Sequence, residues 1–259
     1  MLQNWKESIT KKQFLFEELV KRDFKQKYKR TVLGMGWSIL SPLLTLLVMK
    51  VVFTQFFGRT MDHYTTYLFA GNLMFNFFRE STNGGMNALM ANRHIFTKIN
   101  MPKYIFLLTK NVSAIINFGI TLLVFFLFAA IDGVAFSWRF VTILYPVLCL
   151  MVFNIGVGLI LSALFVFFRD ISYLYDVFTM LLMYLSAIFY TVESYSPAIQ
   201  NLFLLNPVYC AIQYVRTVVL RGTIPGLGLH VLLLSYAALA MLFGGLMYKK
   251  KNHQFLYYV

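Results

Sequence analysis

Six long apolar runs, at residues 37–57, 64–82, 105–131, 140–168, 173–192 and 229–248, decide what this chain can fold into. A helix crosses the hydrocarbon core of a bilayer with about 20 apolar residues, and these runs are of that order. They predict an all-α polytopic membrane protein with six transmembrane helices. Composition agrees, with 59% hydrophobic and 13% charged residues and a mean hydropathy of +0.67, outside the range of soluble domains.

Residues 193–228 resemble a seventh crossing, because 202–220 is too apolar for a solvated loop. Asn206-Pro207 divides it into pieces of roughly 9 and 13 residues, or about 14 and 20 Å, and neither crosses a core of about 30 Å. Two short re-entrant helices over 193–220 are therefore expected. In the second, Val208, Ile212, Val215 and Val219 recur at helical spacing, with Tyr209, Gln213 and Arg216 on another face.

The net charge of +13 would suggest nucleic acid in a soluble chain, but here the basic residues sit at the ends of apolar runs and read as topology. With six crossings, sixteen Lys and Arg residues fall on one side, including Lys249, Lys250 and Lys251. Four fall on the other: Arg59, Arg139, Arg216 and Arg221. Both termini are expected in the cytoplasm. The sequon at Asn111 then lies on the cytoplasmic side and is discarded. The charged, amphipathic start lacks a secretory pattern, so no cleaved leader is expected.

Residues 10–30 predict a basic amphipathic helix lying in the headgroup plane. Phe16, Val20, Phe24 and Tyr28 form one stripe, and Lys21, Lys25 and Lys29 another, roughly 140° away. Glu17 with Lys21 and Glu18 with Arg22 stand at pairing distance along it. A plain membrane anchor has the same pattern. Residues 83–104 predict the longest cytoplasmic connection, with a short helix at 92–99 bounded by Pro102. That segment reads either as a surface loop or as a helix projecting into a partner's groove.

Catalytic signatures are missing. Cys149 and Cys210, and His63, His94, His230 and His253, are dispersed without metal-ligand spacing, and no GxxxxGK[ST], HExxH or GxSxG pattern occurs. The chain is expected to be a non-enzyme without a cofactor, its cysteines serving packing.

Taken together, several motifs resemble a known family. Arg22-Asp23-Phe24-Lys25, Tyr28-Lys29-Arg30-Thr31, Leu33-Gly34, Trp37 and Pro42 form one. Asn92-Arg93-His94-Ile95, Lys98-Ile99 and Met101-Pro102 form a second. Phe168-Arg169-Asp170-Ile171 and Asn206-Pro207 complete the set. In this order they are similar to the permease subunits of type-2 ABC exporters, in the branch that exports O-antigen, capsule and teichoic-acid polymers, and the likeness covers nearly the whole chain.

The resemblance implies a homodimer working with two copies of a separate ATPase subunit that holds ATP and Mg. Its substrate would be a polyprenyl-pyrophosphate-linked glycan, drawn from the inner membrane. Residues 10–30 would be a gate helix. Lys27, Tyr28, Lys29, Arg30, Thr31, Leu33 and Gly34 would receive the lipid headgroup, where basic side chains suit phosphate; the same lysines would also attract ordinary anionic lipid. Asn92, Arg93, Ile95, Phe96, Lys98 and Ile99 would couple to the ATPase, and 193–220 would gate the exit. Sugar faces stack on rings, which makes Phe53, Tyr67, Phe75, Tyr184, Phe189 and Tyr190 candidate channel aromatics. These rings equally suit core packing or a lipid-facing belt. Lys50, inside the first run, should face a bundle interior or water.

Other readings are an exporter of a small lipid or drug within the same wider family, an ion-coupled transporter, or a membrane-embedded enzyme. An ion-coupled transporter usually needs titratable groups within its spans, where only Glu80 and Asp176 stand near span ends. The enzyme would need a carboxylate cluster, where Asp62, Asp132 and Glu193 are scattered.

Overall fold

The computed structural model describes residues 13–25, 33–53, 62–96, 102–251 and 254–255, and every regular element among them is helical. The first helix, α1, covers 13–25. A 3-10 turn at Gly34–Gly36 leads into α2 (Trp37–Val51), followed by α3 (Tyr64–Ala91), the single turn α4 (Arg93–Phe96) and α5 (Tyr104–Ile131). A second 3-10 turn, Trp138–Ile143, feeds α6 (Leu144–Phe167). Then come α7 (Ile171–Leu185), α8 (Pro197–Phe203), α9 (Pro207–Leu220) and α10 (Leu227–Lys251).

α3 is the hub, packed on α5, α6 and α9, while α10 lies along α6. The α6–α10 crossing is close because it is built from small residues: a Cβ at Gly156 would stand 2.3 Å from the Ala240 carbonyl carbon, and one at Gly244 would stand 2.3 Å from the Gly156 oxygen. α10 buries one seam, Leu233, Ala237, Ala240, Gly244 and Tyr248. Its other faces present Val231, Leu234, Leu242, Phe243 and Leu246 outward, as a lipid-facing helix should.

Among the described residues, three elements combine the length and apolarity of a membrane crossing, α5, the continuous Trp138–Phe167 unit and α10, and the bent pair α8–α9 does so only if taken as one span. α3 has 28 residues, about 42 Å of helix, but carries Arg79 and Glu80. α2 and α7 are apolar and shorter, at 15 residues each. α8 and α9 meet at an angle of 106°. Asn206 explains the corner: its side-chain oxygen accepts from the backbone N–H of Val208 and Tyr209, and Pro207 occupies the first helical position of α9.

The structure corrects several sequence expectations. The run at 173–192 is not one helix, since α7 stops at Leu185 and Ala187 takes a left-handed conformation, φ 49°. The connection expected over 83–104 is shorter, because α3 runs on through Gly84-Gly85 to Ala91. Gly85 serves a helix crossing here, since a Cβ on it would stand 3.0 Å from the Gly158 Cα. Lys50 is exposed, in the last turn of α2. On α1 the buried line is Leu19 and Asp23, one residue round from the expected Phe16–Val20–Phe24 stripe, whose members are half-buried. Glu18 pairs with Lys21 at 2.9 Å, and Arg22, expected to pair with Glu18, turns inward.

Leu19 and Phe255 enter one apolar cluster with Ala88, Leu89, Phe106, Leu107 and Tyr248, so segments far apart in sequence meet at the α1 end of the molecule.

Candidate functional site

Three polar features follow α3 from one end to the other. At the α9 end, Arg216 is 4% exposed. Its Nη1 donates to the Ala187 carbonyl at 2.9 Å, and its Nη2 to those of Ile188 and Tyr67 at 3.0 and 3.2 Å. The guanidinium lies 3.4 Å from the Tyr67 ring centroid. Arg216 therefore gathers carbonyls freed where α7 unwinds, as buried backbone acceptors require. Gly71 makes the space: a Cβ there would stand 2.7 Å from Nη2. Arg216, counted among the charges of the outer segments, is buried, and α9 buries Tyr209 and Arg216 as well as Val208, Ile212, Val215 and Val219.

Along its middle, α3 carries Asn72, Asn76, Arg79, Glu80 and Asn83 at spacings of three and four, one polar stripe on a helix otherwise rich in apolar residues. The stripe lines a groove of about 900 Å³ whose other walls are Trp37, Ser38, Ser41 and Thr45 from α2, Asn117 and Thr121 from α5, and Met183 from α7. Asn117 Nδ2 donates to Glu80 Oε2 at 2.8 Å. Amides and hydroxyls here form a surface of donors and acceptors beside helices that cross the bilayer. The sequence reading missed this ladder, although the spacing was available to find it.

At the α1 end, Asp23, with its side chain 3% exposed, accepts from Arg22 Nη2 at 2.8 Å and pairs with Lys110 Nζ at 2.9 Å. Arg22 Nη2 also donates to Asn92 Oδ1 at 2.7 Å. Asn92 caps the C-terminus of α3 and its Nδ2 donates to the Ala88 carbonyl at 2.8 Å. Nearby, burial lowers the pKa of the Lys103 ammonium. A cavity of about 610 Å³ lies between α1, α3 and α5, and Glu80 and Gly84 line both it and the polar groove.

The proposed site residues fall as follows. Lys27, Tyr28, Lys29, Arg30, Thr31, Lys98 and Ile99 lie outside the described residues, as does the Phe96 side chain. Leu33 is exposed, and Gly34 has φ +51°, a conformation other side chains strain to adopt. Arg93 is exposed, Ile95 packs against the Leu19–Phe255 cluster, and Asn92 is buried. Of the six aromatics, Phe53, Tyr67 and Phe189 fall in one apolar cluster, and the Tyr184 ring lies 6.2 Å from that of Phe189. Phe75 and Tyr67 are buried in the helix pack, Phe53 stacks on Phe189 at 4.8 Å, and the Tyr67 hydroxyl donates to the Tyr190 carbonyl at 2.6 Å. Tyr184 is 52% exposed. Cys149 and Cys210 are free thiols in buried positions.

The family model described as "ABC-2 type transporter" matches residues 15–220, which include α1, the polar groove and Arg216. The chain belongs to the ABC-2 type transporter family. Among its relatives is the O-antigen export system permease protein RfbA of Myxococcus xanthus, 28% identical over 162 residues that make up 62% of each chain. RfbA of Klebsiella pneumoniae is 26% identical over 216 residues, 82% of this chain and 83% of its own. The polysialic acid transport protein KpsM of Escherichia coli is 22% identical over 244 residues, 93% of this chain and 94% of its own. As an ABC-2 family member, the chain matches transport subunits, which separates it from the membrane-enzyme reading.

Proposed function

We propose that this chain is the membrane permease of an ATP-driven exporter that moves a lipid-linked polysaccharide of O-antigen, capsule or teichoic-acid type across the bacterial inner membrane. The observation that carries this reading is its similarity to RfbA and KpsM over most of its length. The groove supports it, because amides and hydroxyls on α2, α3 and α5 exchange hydrogen bonds with sugar hydroxyls as readily as with water. The polar wall of α3 joins the aromatic set as our candidate sugar path, with Trp37 as an exposed ring on the groove.

In this reading the chain crosses the membrane six times, with α2, α3, α5, α6, α7 and α10 as crossings, α8 and α9 re-entrant from outside, and both termini in the cytoplasm. The open groove is closed by a second copy of the chain, because one copy has too few helices to surround a polymer. Two copies of a separate ATPase subunit, holding ATP and Mg, press on α4 and the residues after it. The lipid diphosphate arrives at Lys27, Lys29 and Arg30, beside the Leu33–Gly34 turn.

The test is to purify the chain with its co-expressed ATPase subunit and measure polymer-dependent ATP hydrolysis. A stable complex, uncoupled by Phe96→Asp and slowed in export by Asn76→Leu with Asn83→Leu, is the expected result. Failure of the native chain to bind any ATPase subunit overturns the reading.

A further inference from the structure

Arg22 joins two elements whose movements an exporter must link. Its Nη2 has two hydrogens, and both are in use: one bond goes to Asp23 on α1 itself, the other to Asn92 Oδ1. Asn92 is the residue at which α3 ends and α4 begins, and its carbonyl accepts from Ile95 N at 2.9 Å inside α4. Asp23 is moored separately, to Lys110 on α5. α1 is thus held at two points, one on the body of the bundle and one on the joint that carries α4.

We infer that Arg22 and Asn92 are positioning residues that link α4 mechanically to α1, so that displacing α4 resets α1 and the mouth of the polar groove. Asn92 therefore acts inside the chain and not on a partner's surface, as its burial also requires. When Asn92 moves with α4, the guanidinium either follows it and draws α1 along, or falls back on Asp23 alone. These are two discrete arrangements, as a switching contact needs. The cavity between α1, α3 and α5, lined by Arg22, Asp23 and Lys110, adjoins the groove at Glu80 and Gly84, so a shift of α1 alters access to it. What displaces α4 rests on the exporter reading; the link itself does not.

The test uses the full chain in nanodiscs with spin labels at Lys21→Cys and His94→Cys, both exposed, the native cysteines being buried. The native pair should give one narrow distance distribution. Arg22→Gln should broaden it at least twofold, and the double variant with Asn92→Leu should broaden it by less than the two single variants summed, because they share the Arg22–Asn92 contact although Arg22 also holds Asp23 and Asn92 also holds the Ala88 carbonyl. Arg22→Gln spares folding, since the side chain is 40% exposed. In the complex with its ATPase subunit, the same variant should hydrolyse ATP at the native rate while polymer exported per ATP falls at least fivefold, which a merely structural role would not produce. An unchanged distribution, additive broadening in the double variant, or unchanged export per ATP overturns the inference. If the native chain binds no ATPase subunit, the exporter reading fails, and the label distances still decide the link.

Discussion

The two ends of α3 hold buried charge in opposite ways. At the α9 end Arg216 is matched by backbone carbonyls that belong to the fold itself. At the α1 end Asp23, Arg22, Lys110 and Asn92 are matched by one another through side chains that can change partner. A guanidinium bound to carbonyls has no alternative state short of local unfolding. A carboxylate shared by two long basic side chains has several. The difference separates a region built to stay from one built to move.

Removing Arg216 should give the largest effect. Arg216→Met removes the guanidinium donor from the buried Tyr67, Ala187 and Ile188 carbonyls and should cost about 3–5 kcal/mol, seen as loss of monodisperse protein or a large fall in Tm. Arg216→Lys should recover little, because an ammonium lacks the planar fork. Next comes Gly71→Ala, whose Cβ would stand 2.7 Å from Nη2; a destabilisation of about 1–3 kcal/mol is expected, measured by thermal unfolding in detergent. At the other end, Asp23→Asn should cost only about 1–2 kcal/mol globally, yet hydrogen exchange over 13–25 should rise at least tenfold. Salt offers the same contrast. Raising ionic strength from about 0.1 to 1 M shortens the screening length from about 10 to 3 Å, and exchange over α1 should increase while the segment around Ala187 stays protected. The smallest effect belongs to Lys21→Ala. Its exposed partner Glu18 contributes little, and Tm and export should not change. If Asp23→Asn proved as destabilising as Arg216→Met, the distinction between the two ends would collapse.

Much of this fold is legible in the sequence, and its failures have physical causes. Hydropathy finds α5 and α10 to within a few residues because their apolar runs are uninterrupted, and Asn206-Pro207 announces the corner between α8 and α9 because capping and proline chemistry are local. The early end of α7 is invisible, since the left-handed turn at Ala187 is stabilised by Arg216, distant in sequence. The extra turns of α3 are hidden for a similar reason: Gly84-Gly85 reads as a breaker until Gly158 is seen against it. Burial on α1 was misplaced by one residue because a membrane surface and a neighbouring helix both favour an apolar face, and periodicity does not distinguish them. The asparagine ladder was there to be read. Its mark is a set of polar side chains at spacings of three and four on one face of α3, which averaging hydropathy along a run conceals.

The meeting of Leu19 and Phe255 in one cluster sets an order on biosynthesis. Leu19 leaves the ribosome long before Phe255, so throughout translation the helix that carries it lacks part of its seat. The polar moorings of α1 on Lys110 and Asn92 are available earlier, so the tail completes only the apolar part of that seat. A chain cut short before Phe255 should keep the two polar moorings and lose only the apolar part of the seat, leaving α1 held less tightly than in the full chain.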